Sequence, residues 1–443
     1  MADDSTVRRR ATEIVHTLRQ HNHQAYLVGG CVRDLLLGCG PADYDVSTDA
    51  TPDEVMHLFP RTWAVGAQFG VVLVPMDDDA SKVVEVATFR SDGLYTDGRH
   101  PDQVIYTHDP KEDVQRRDFT INGLLLDPLN NEVLDYVGGR ADLSAGVIRT
   151  IGQPERRFAE DKLRMLRAVR FAARFGYQID PATFEAIRAL RSEIHQVSRE
   201  RVRDELVKML TEGHARRAFE LLDQTGLLKE VLPEVDKMQG VEQPPQFHPE
   251  GDVWVHTLLL LDGLPEKASP TLAMGALLHD VGKPPTFRVA PDRIRFDGHV
   301  EVGVKMTEQI CHRLRFSKHD TEQIARLVAN HMRFADVREM KPSTLKRFFR
   351  LPRFDEHLEL HRLDCLASHR ELSLYNFVRQ KLAELPAEQI RPKPLLTGDD
   401  LIAMGYAPGP QFKQILAAVE DAQLEGRLAD PEQAREFVRR EFP

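Results

Sequence analysis

The hydrophobic period changes once along this chain, near residue 150, and does not change back. Before that point short apolar runs of strand length alternate with helical patterns; beyond it only the helical period persists. The run 25–28 ends in Gly29-Gly30, a helical pattern follows over 31–37, and Gly38 stops it. Further strands are expected at 71–75, 83–89 and 104–106, with Gly, Asp and Pro between them. From Pro154 to about Lys229 the pattern is helical, and the Pro-rich segment 241–249 reads as a linker. A second helical region, 248–370, holds ten of the chain's 18 histidines, and a small helical tail follows Pro392 and Pro394. The expected fold class is α+β. A head of mixed sheet and helices at 1–150 leads into all-α segments: a neck at 151–217, a body or linker at 218–247, the His-rich domain at 248–370, and a body and tail at 371–443.

Length and charge narrow the class. At 443 residues the chain is long enough for about three domains with sizeable cores. The run 258–261 is only four aliphatic residues, far short of the ~20 that span a bilayer. No apolar segment follows Arg8–Arg10, so neither a membrane partner nor a secretory signal is expected. Cys31, Cys39, Cys311 and Cys365 form no CxxC pair and read as reduced thiols of a cytoplasmic protein. The net charge of −10 by itself speaks against a nucleic-acid partner. Its distribution says otherwise. Residues 1–150 hold 14 basic and 24 acidic residues, 151–217 hold 15 and 10, and 218–443 hold 30 and 35. One basic segment sits between two acidic ones.

In the head, Asp43 and Asp45 are two apart in DYDVST, a spacing that puts both carboxylates on one face of extended chain. Such a pair suits two divalent cations, one activating an attacking hydroxyl and one holding a triphosphate. Glu85, the lone charge in the strand 83–89, is the candidate third ligand. Upstream, Gly29-Gly30 would let backbone N–H groups approach phosphates closely, Gly30 opening the helix. Arg33 is placed to reach the same phosphates, with Asp34 beside it either orienting it or capping backbone donors.

VGGCVRDLLLG followed by ADYDVST resembles the signature of the class II tRNA nucleotidyltransferase and bacterial poly(A) polymerase family, within the polymerase-β-like superfamily. The resemblance implies a nucleotidyltransferase head in which Asp43, Asp45 and Glu85 hold two Mg²⁺ ions. Residues 88–104 resemble the family's loop between strands, with Arg90 at its base. RRDFTINGL resembles the motif that holds the nucleotide's sugar and phosphates, and places Arg116, Arg117, Asp118 and Asn122 in that role. Gly123 departs from the commoner alanine there. DYVGGRADL, 135–143, resembles the segment that closes the head.

In the neck, residues 154–175 read as one amphipathic helix with Leu163, Leu166 and Val169 on one face and Asp161, Arg164 and Arg167 on another. Cytosine and adenine each present an amine donor beside a ring-nitrogen acceptor. An Asp acceptor next to an Arg donor complements both, while guanine and uracil show the reverse pattern. The bland alternative is an ion pair within a solvated helix. The resemblance places the family's base-recognition motif EDxxRxxR on Glu160, Asp161, Arg164 and Arg167, with Arg170 one turn further. SRERVRDELVKML, 198–210, matches the helical motif that follows. Arg156, Arg157, Arg170, Arg174, Arg199, Arg201 and Arg203 are candidate contacts to acceptor-stem phosphates.

In LAMGALLHDVGK, His279-Asp280 ends an apolar helix, with His256 lying 23 residues upstream. Imidazole and carboxylate gathered from separate helices suit one or two divalent ions that activate water for phosphoester hydrolysis. The arrangement resembles the HD phosphohydrolase superfamily. That resemblance implies His256, His279, Asp280 and Asp364 as ligands of a transition metal such as Ni²⁺ or Mn²⁺, with His299 and His331 as second-metal or phosphate contacts. His248 reads as linker, and His312, His319, His357, His361 and His369 as surface residues. In the tail, 395–426 resembles the C-terminal module of the family, suited to an RNA elbow or simply a helical hairpin. Lys341, Lys346, Arg347 and Arg350, with Phe348 and Phe349, either lie along RNA or pack.

The expected activity is addition of C, C and A to the 3′ end of tRNA from CTP and ATP, by a monomer or dimer, with accessory hydrolysis at the HD site. The rivals within the class are an A-adding enzyme, a CC-adding enzyme and a poly(A) polymerase. The long 88–104 loop disfavours CC addition, and 65–74 lacks the basic stretch of polymerases. Rivals outside the class are an HD cyclic phosphodiesterase or phosphatase whose head only binds RNA, and a non-catalytic RNA-binding protein.

Overall fold

The computed structural model describes residues 4–64, 70–76, 82–92, 104–246, 248–291 and 293–443, in two compact units, Met1–Asp236 and Lys237–Pro443. The first unit opens with helix Asp4–Gln20, whose Ala11, Ile14, Val15 and Leu18 are fully buried at helical spacing. It packs against a six-stranded sheet in the order 71–75, 83–88, 45–48, 25–28, 124–127, 132–135. All pairings are antiparallel except that of Asp45–Thr48 with Val83–Thr88. That parallel ladder sets Asp45 opposite Glu85, and on its other side Val28, the residue before Gly29-Gly30, is opposite Asp45. The glycine turn and two of the three acids therefore meet at one end of the sheet.

The strands Leu124–Asp127 and Glu132–Asp135 are additions to the sequence expectation. Leu124–Asp127 is buried on both faces, so it carries no alternation to read. The strand Val104–Tyr106 pairs with Arg90–Asp92. Residues 93–103, most of the loop compared above, lie outside the described residues, as do 65–69 of the 65–74 comparison.

The neck corrects the sequence reading. The single helix expected over 154–175 is two, Pro154–Glu160 and Leu163–Phe175. Asp161 lies between them with extended backbone, φ −146° and ψ 105°, and its Oδ1 accepts a hydrogen bond from Leu163 N at 3.1 Å. An aspartate that bonds backbone two residues on competes with the helical ladder, and the chain bends there. Leu163–Phe175 then packs against Arg199–Thr211 and Ala215–Gln224. A two-residue parallel ladder, 147–148 with 178–179, and the short hairpin 288–289 with 294–295 place strand inside segments expected to be all-α.

In the second unit Pro270–Leu278 is buried almost throughout and packs against Val253–Asp262, Lys318–Asn330 and Phe354–Ala367. His299–Arg313 packs in turn on Lys318–Asn330. A short hairpin, Arg288–Val289 with Ile294–Arg295, precedes His299. The tail has a core of its own around Leu401, Ile415, Val419, Ala434 and Val438. Among the described residues no helix is long and apolar enough to cross a membrane, and all four cysteines are free.

Candidate functional site

The head and neck enclose a cleft of about 480 Å³, a size that fits a small ligand. Gly30, Arg33, Arg116, Arg117, Asp118, Asn122, Asp161, Arg164, Arg167 and Arg170 all line it, together with Asp45, Phe171 and Arg201. Arg90 is not among its lining. Its backbone N instead donates to Asp113 Oδ1 at 3.4 Å. The same buried Asp113 accepts from Arg116 Nη2 at 2.7 Å and Arg117 Nη2 at 3.0 Å. Burial alone would raise the Asp113 carboxyl, but Arg117 and Arg116 outweigh it and hold it below its usual range. Asp113 is an organising residue that the sequence reading missed. Its signal was the i, i+3 and i, i+4 spacing to the two arginines.

At the acidic end, Asp43 is exposed, Tyr44 is buried and Asp45 is half-buried, the alternation expected of extended chain. Burial, then the nearby Glu85, raise the Asp45 carboxyl to about 6 against the pull of Arg117, and Asp43 adds to the rise. Glu85 is exposed between buried Val84 and Val86. Its strand has one open face, so Glu85 needs no burial to stand opposite Asp45. An Asp45 carboxylate crowded by two further acids suits a divalent cation.

Arg33 is 4% exposed. Its Nη1 donates to Asn122 Oδ1 at 2.6 Å, its Nε donates to Asp34 Oδ1 at 2.8 Å, and its guanidinium lies 4.6 Å from the Phe175 ring centroid. Asn122 Nδ2 donates to Asp118 Oδ1 at 3.0 Å, and Arg167 grips Asp118 Oδ2 through Nε and Nη2 at 2.9 and 2.7 Å. Burial would raise Asp118, but Arg167, Asn122 and Arg164 bring its carboxyl down to about 2. A rigid lattice of paired charges thus lines the cleft.

Asp161 and Arg164 both face this cleft, though not as neighbours on one helical face. Asp161 is held bidentately by Arg201, Nη2 to Oδ2 at 2.7 Å and Nη1 to Oδ1 at 3.2 Å. Arg164 donates to Glu160 Oε2 at 2.9 Å and to the carbonyl of Arg116 at 3.1 Å. Arg201 was expected on acceptor-stem phosphates; its place beside Asp161 comes from a helix forty residues away. Arg170 is also committed elsewhere, donating to buried Glu205 at 2.7 Å and to Glu212 at 3.2 Å.

The second unit gathers its own cluster. His256 Nε2 is 3.1 Å from Asp364 Oδ1 and 3.3 Å from His279 Nε2. His279 Nε2 is 3.1 Å from Asp280 Oδ2, and Asp280 Oδ1 faces His331 at 3.7 Å and His299 at 3.9 Å. The six expected residues form two groups, His256 with His279 and Asp364, and Asp280 with His299 and His331, each within 4.8 Å. His279, His299 and His331 donate Nδ1–H to the carbonyls of Ala276, Phe296 and Val328. That fixes the tautomer and turns each Nε2 lone pair inward. Asp280 Oδ1, His299 Nε2 and His331 Nε2 are buried with no hydrogen-bond partner among the described residues. Unmatched lone pairs at such depth are costly, and a divalent cation would satisfy them. Lys283 Nζ bridges Asp280 Oδ2 at 2.7 Å and Gln243 Oε1 at 2.6 Å.

Other histidine readings change. His357 and His361 are 2% and 7% exposed, not surface residues. His361 stacks on Phe334 with ring centroids 4.3 Å apart, and burial pushes both imidazoles down to about 4. His248 is not plain linker: its Nδ1 lies 2.8 Å from Glu250 Oε1. Most of the patch Lys341–Arg350 packs, with Lys341 left exposed. Phe348 and Phe349 are buried, Arg347 and Arg350 pair with Glu420, and Lys346 donates to the carbonyl of Leu424.

Residues 25–149 match the poly A polymerase head domain, 176–239 the probable RNA and SrmB-binding site of polymerase A, and 252–359 the HD domain. A CCA-adding enzyme of Bacillus pumilus is 40% identical over 274 residues, 61% of this chain and 63% of that one. One of Bacillus subtilis is 43% identical over 238 residues, 54% and 59%. The chain thus spans less than two thirds of the length of these curated relatives. Among solved structures, the Bacillus stearothermophilus CCA-adding enzyme in complex with CTP superposes with a TM-score of 0.73 at 25% identity, covering 97% of this chain and 96% of that one. The Thermotoga maritima CCA-adding enzyme complexed with tRNA shares the fold, with a TM-score of 0.58 at 18% identity over 98% and 95%.

Proposed function

We propose that this chain, which belongs to the class II tRNA nucleotidyltransferase and bacterial poly(A) polymerase family with an HD domain fused behind the head, adds CMP, CMP and AMP to the 3′ end of tRNA. CTP and ATP are the donors, and no nucleic-acid template takes part. One observation carries the reading: a single cleft joins the Asp45 end of the sheet to the arginine-rich pocket that holds Asp161 and Arg164. The terminal hydroxyl of the tRNA attacks the α-phosphorus, a new P–O bond forms, the bond to the β-phosphate breaks, and pyrophosphate leaves.

Head and HD domain both imply divalent metal use. Magnesium ions held by Asp43, Asp45 and Glu85 would supply activation of the hydroxyl and neutralise the triphosphate. The chain's own groups do the rest. Arg116, Arg117 and Arg33 offer cationic donors to phosphates. Asp118 and Asn122 hold Arg167 and Arg33 in place. Asp161 offers an acceptor and Arg164 donors to the Watson–Crick edge of cytosine or adenine. The CTP complex of the Bacillus stearothermophilus enzyme supports the nucleotide, and four cysteines free of disulfides fit work in the cytoplasm.

The test is incorporation of each labelled nucleotide, with Mg²⁺, into tRNA ending at the discriminator base or in CC. Strict CCA addition, abolished by Asp43→Ala, is the expected result. A-only addition or open-ended A tails would move the assignment to the A-adding or poly(A) members, and no incorporation would overturn it. The unmatched lone pairs of the HD cluster favour a second, hydrolytic reading for that domain alone: metal-dependent cleavage of phosphoesters with a transition metal such as Ni²⁺ or Mn²⁺. His279→Ala should lose bound metal and phosphatase activity; unchanged values for both would leave the domain structural.

A further inference from the structure

Four imidazoles in the HD cluster turn Nε2 inward, and three of them are anchored alike. His279, His299 and His331 donate Nδ1–H to the carbonyl three residues back, a neutral acceptor that the local backbone supplies. His256 differs. Its Nδ1 lies 2.7 Å from Glu250 Oε1, a carboxylate on the segment before its helix. The His256 side chain is fully buried and that of Glu250 is 5% exposed. The segment is pinned on both sides of Glu250: Gln243 N donates to the carbonyl of Gly251 at 2.7 Å, and Val253 N to that of Val241 at 3.0 Å. His248 Nδ1 shares the same Glu250 Oε1 at 2.8 Å. Glu250 Oε2 has no hydrogen-bond partner among the described residues, so the carboxylate is committed through one oxygen to two imidazoles.

We propose that Glu250 is a positioning residue for the HD metal. It holds the His256 ring with Nε2 toward Asp364 and His279, and its charge makes that group bind a divalent cation more tightly than the group of Asp280, His299 and His331. A carbonyl and a carboxylate both fix the tautomer, but only the carboxylate adds negative charge to the ring and raises its strength as a ligand. The difference predicts two unlike affinities in one cluster, the stronger set by a residue outside the HD motif itself. This rests on the cluster holding metal, as proposed above.

The experiment is a Co²⁺ titration of the full-length protein, read by visible absorption of imidazole-bound cobalt and by competition with a chelator. Glu250→Gln keeps the shape and an acceptor oxygen but loses the charge; Glu250→Ala loses both. The tighter phase should weaken roughly 10-fold in the first and roughly 100-fold in the second, the range that outer partners of metal ligands command. The weaker phase should stay where it was. His256→Ala should remove the tighter phase altogether. Tight-phase affinity unchanged in Glu250→Gln and Glu250→Ala but lost in His256→Ala overturns the role of Glu250. No imidazole-bound cobalt in the parent overturns the metal reading itself. Far-UV circular dichroism of each variant separates loss of a ligand from loss of the fold.

Discussion

Asp161 meets Arg201 through both oxygens, and this fixes the carboxylate before any base arrives. Removing either partner should therefore change what the cleft accepts. Asp161→Ala or Arg164→Ala should relax the rejection of UTP and GTP, and Arg201→Met should do so partially, by roughly 10- to 100-fold in relative kcat/KM, the usual worth of a bidentate base contact. Single-nucleotide incorporation checks it; a lower rate with selectivity intact would exclude these side chains from base choice. Asp118 makes a different claim. Its folded carboxyl titrates at about 2 against an ordinary 3.8, so the charged form is favoured in the fold. That stability is present above pH ~4 and is lost as pH falls toward 2. Asp118→Asn should cost ~2 kcal/mol by urea unfolding at pH 7, and the gap should narrow at pH 3. A gap of equal size at both values would assign it to packing instead. Sequence spacing brought Asp118, Asn122 and Arg167 into view as motif residues. It could not show that Asp161 leaves the helix, because the competing hydrogen bond to Leu163 N is worth no more than the helical one it replaces.

Short elements carry these residues, and glycines set how closely they approach. Gly139 opens the helix Gly139–Ala145 directly over the turn Thr120–Asn122. A Cβ there would stand 2.1 Å from the carbonyl oxygen of Thr120. Gly139→Ala must push that turn away, and Asn122, which holds Arg33 at 2.6 Å, moves with it. The expected cost is about 1–3 kcal/mol of stability together with weaker CTP binding, read by thermal melting and calorimetry. Melting lowered with CTP affinity intact would show that the turn does not transmit the shift. Gly123, the departure from the commoner alanine, has a local cause: a Cβ would come within 2.9 Å of Val137 and 3.0 Å of Ile151. What the sequence made legible here was the sheet's acidic end, because Gly29-Gly30 and DYD each announce a backbone constraint. The strand Leu124–Asp127 was hidden because burial on both faces erases period two. Glu250 was hidden for another reason: its role depends on a loop closing back on itself, which no periodicity records.

Charge separates along the chain as the composition implied, yet the basic segment is less free than its excess suggests. Arg170 is bonded to Glu205, Arg201 to Asp161, Arg157 to Glu160 and Arg203 to Asp204, whereas Arg174 lies 3.6 Å from Glu212 and Arg199 lies 3.5 Å from His195 Nδ1. Arg156 is the most open of the candidate phosphate contacts that have an acid partner: its side chain is 81% exposed and comes no nearer to Glu160 than 3.7 Å. A cleft built from compensated arginines presents directed donors without a broad positive field, and the net charge of −10 opposes indiscriminate RNA binding. Affinity for tRNA should then depend on salt only modestly. Each phosphate neutralised adds about 0.7–0.9 to the slope of log K against log [salt]. With fewer than about four such contacts the slope should be shallower than about −3. Arg156→Ala should reduce it by about 1, and Arg170→Ala, whose guanidinium is already spent on Glu205, should leave the slope alone while lowering stability. Filter binding of tRNA lacking CCA between 50 and about 300 mM salt measures all three. A parent slope of about −6 or steeper would mean that these ion pairs open on binding and give their arginines to the phosphates.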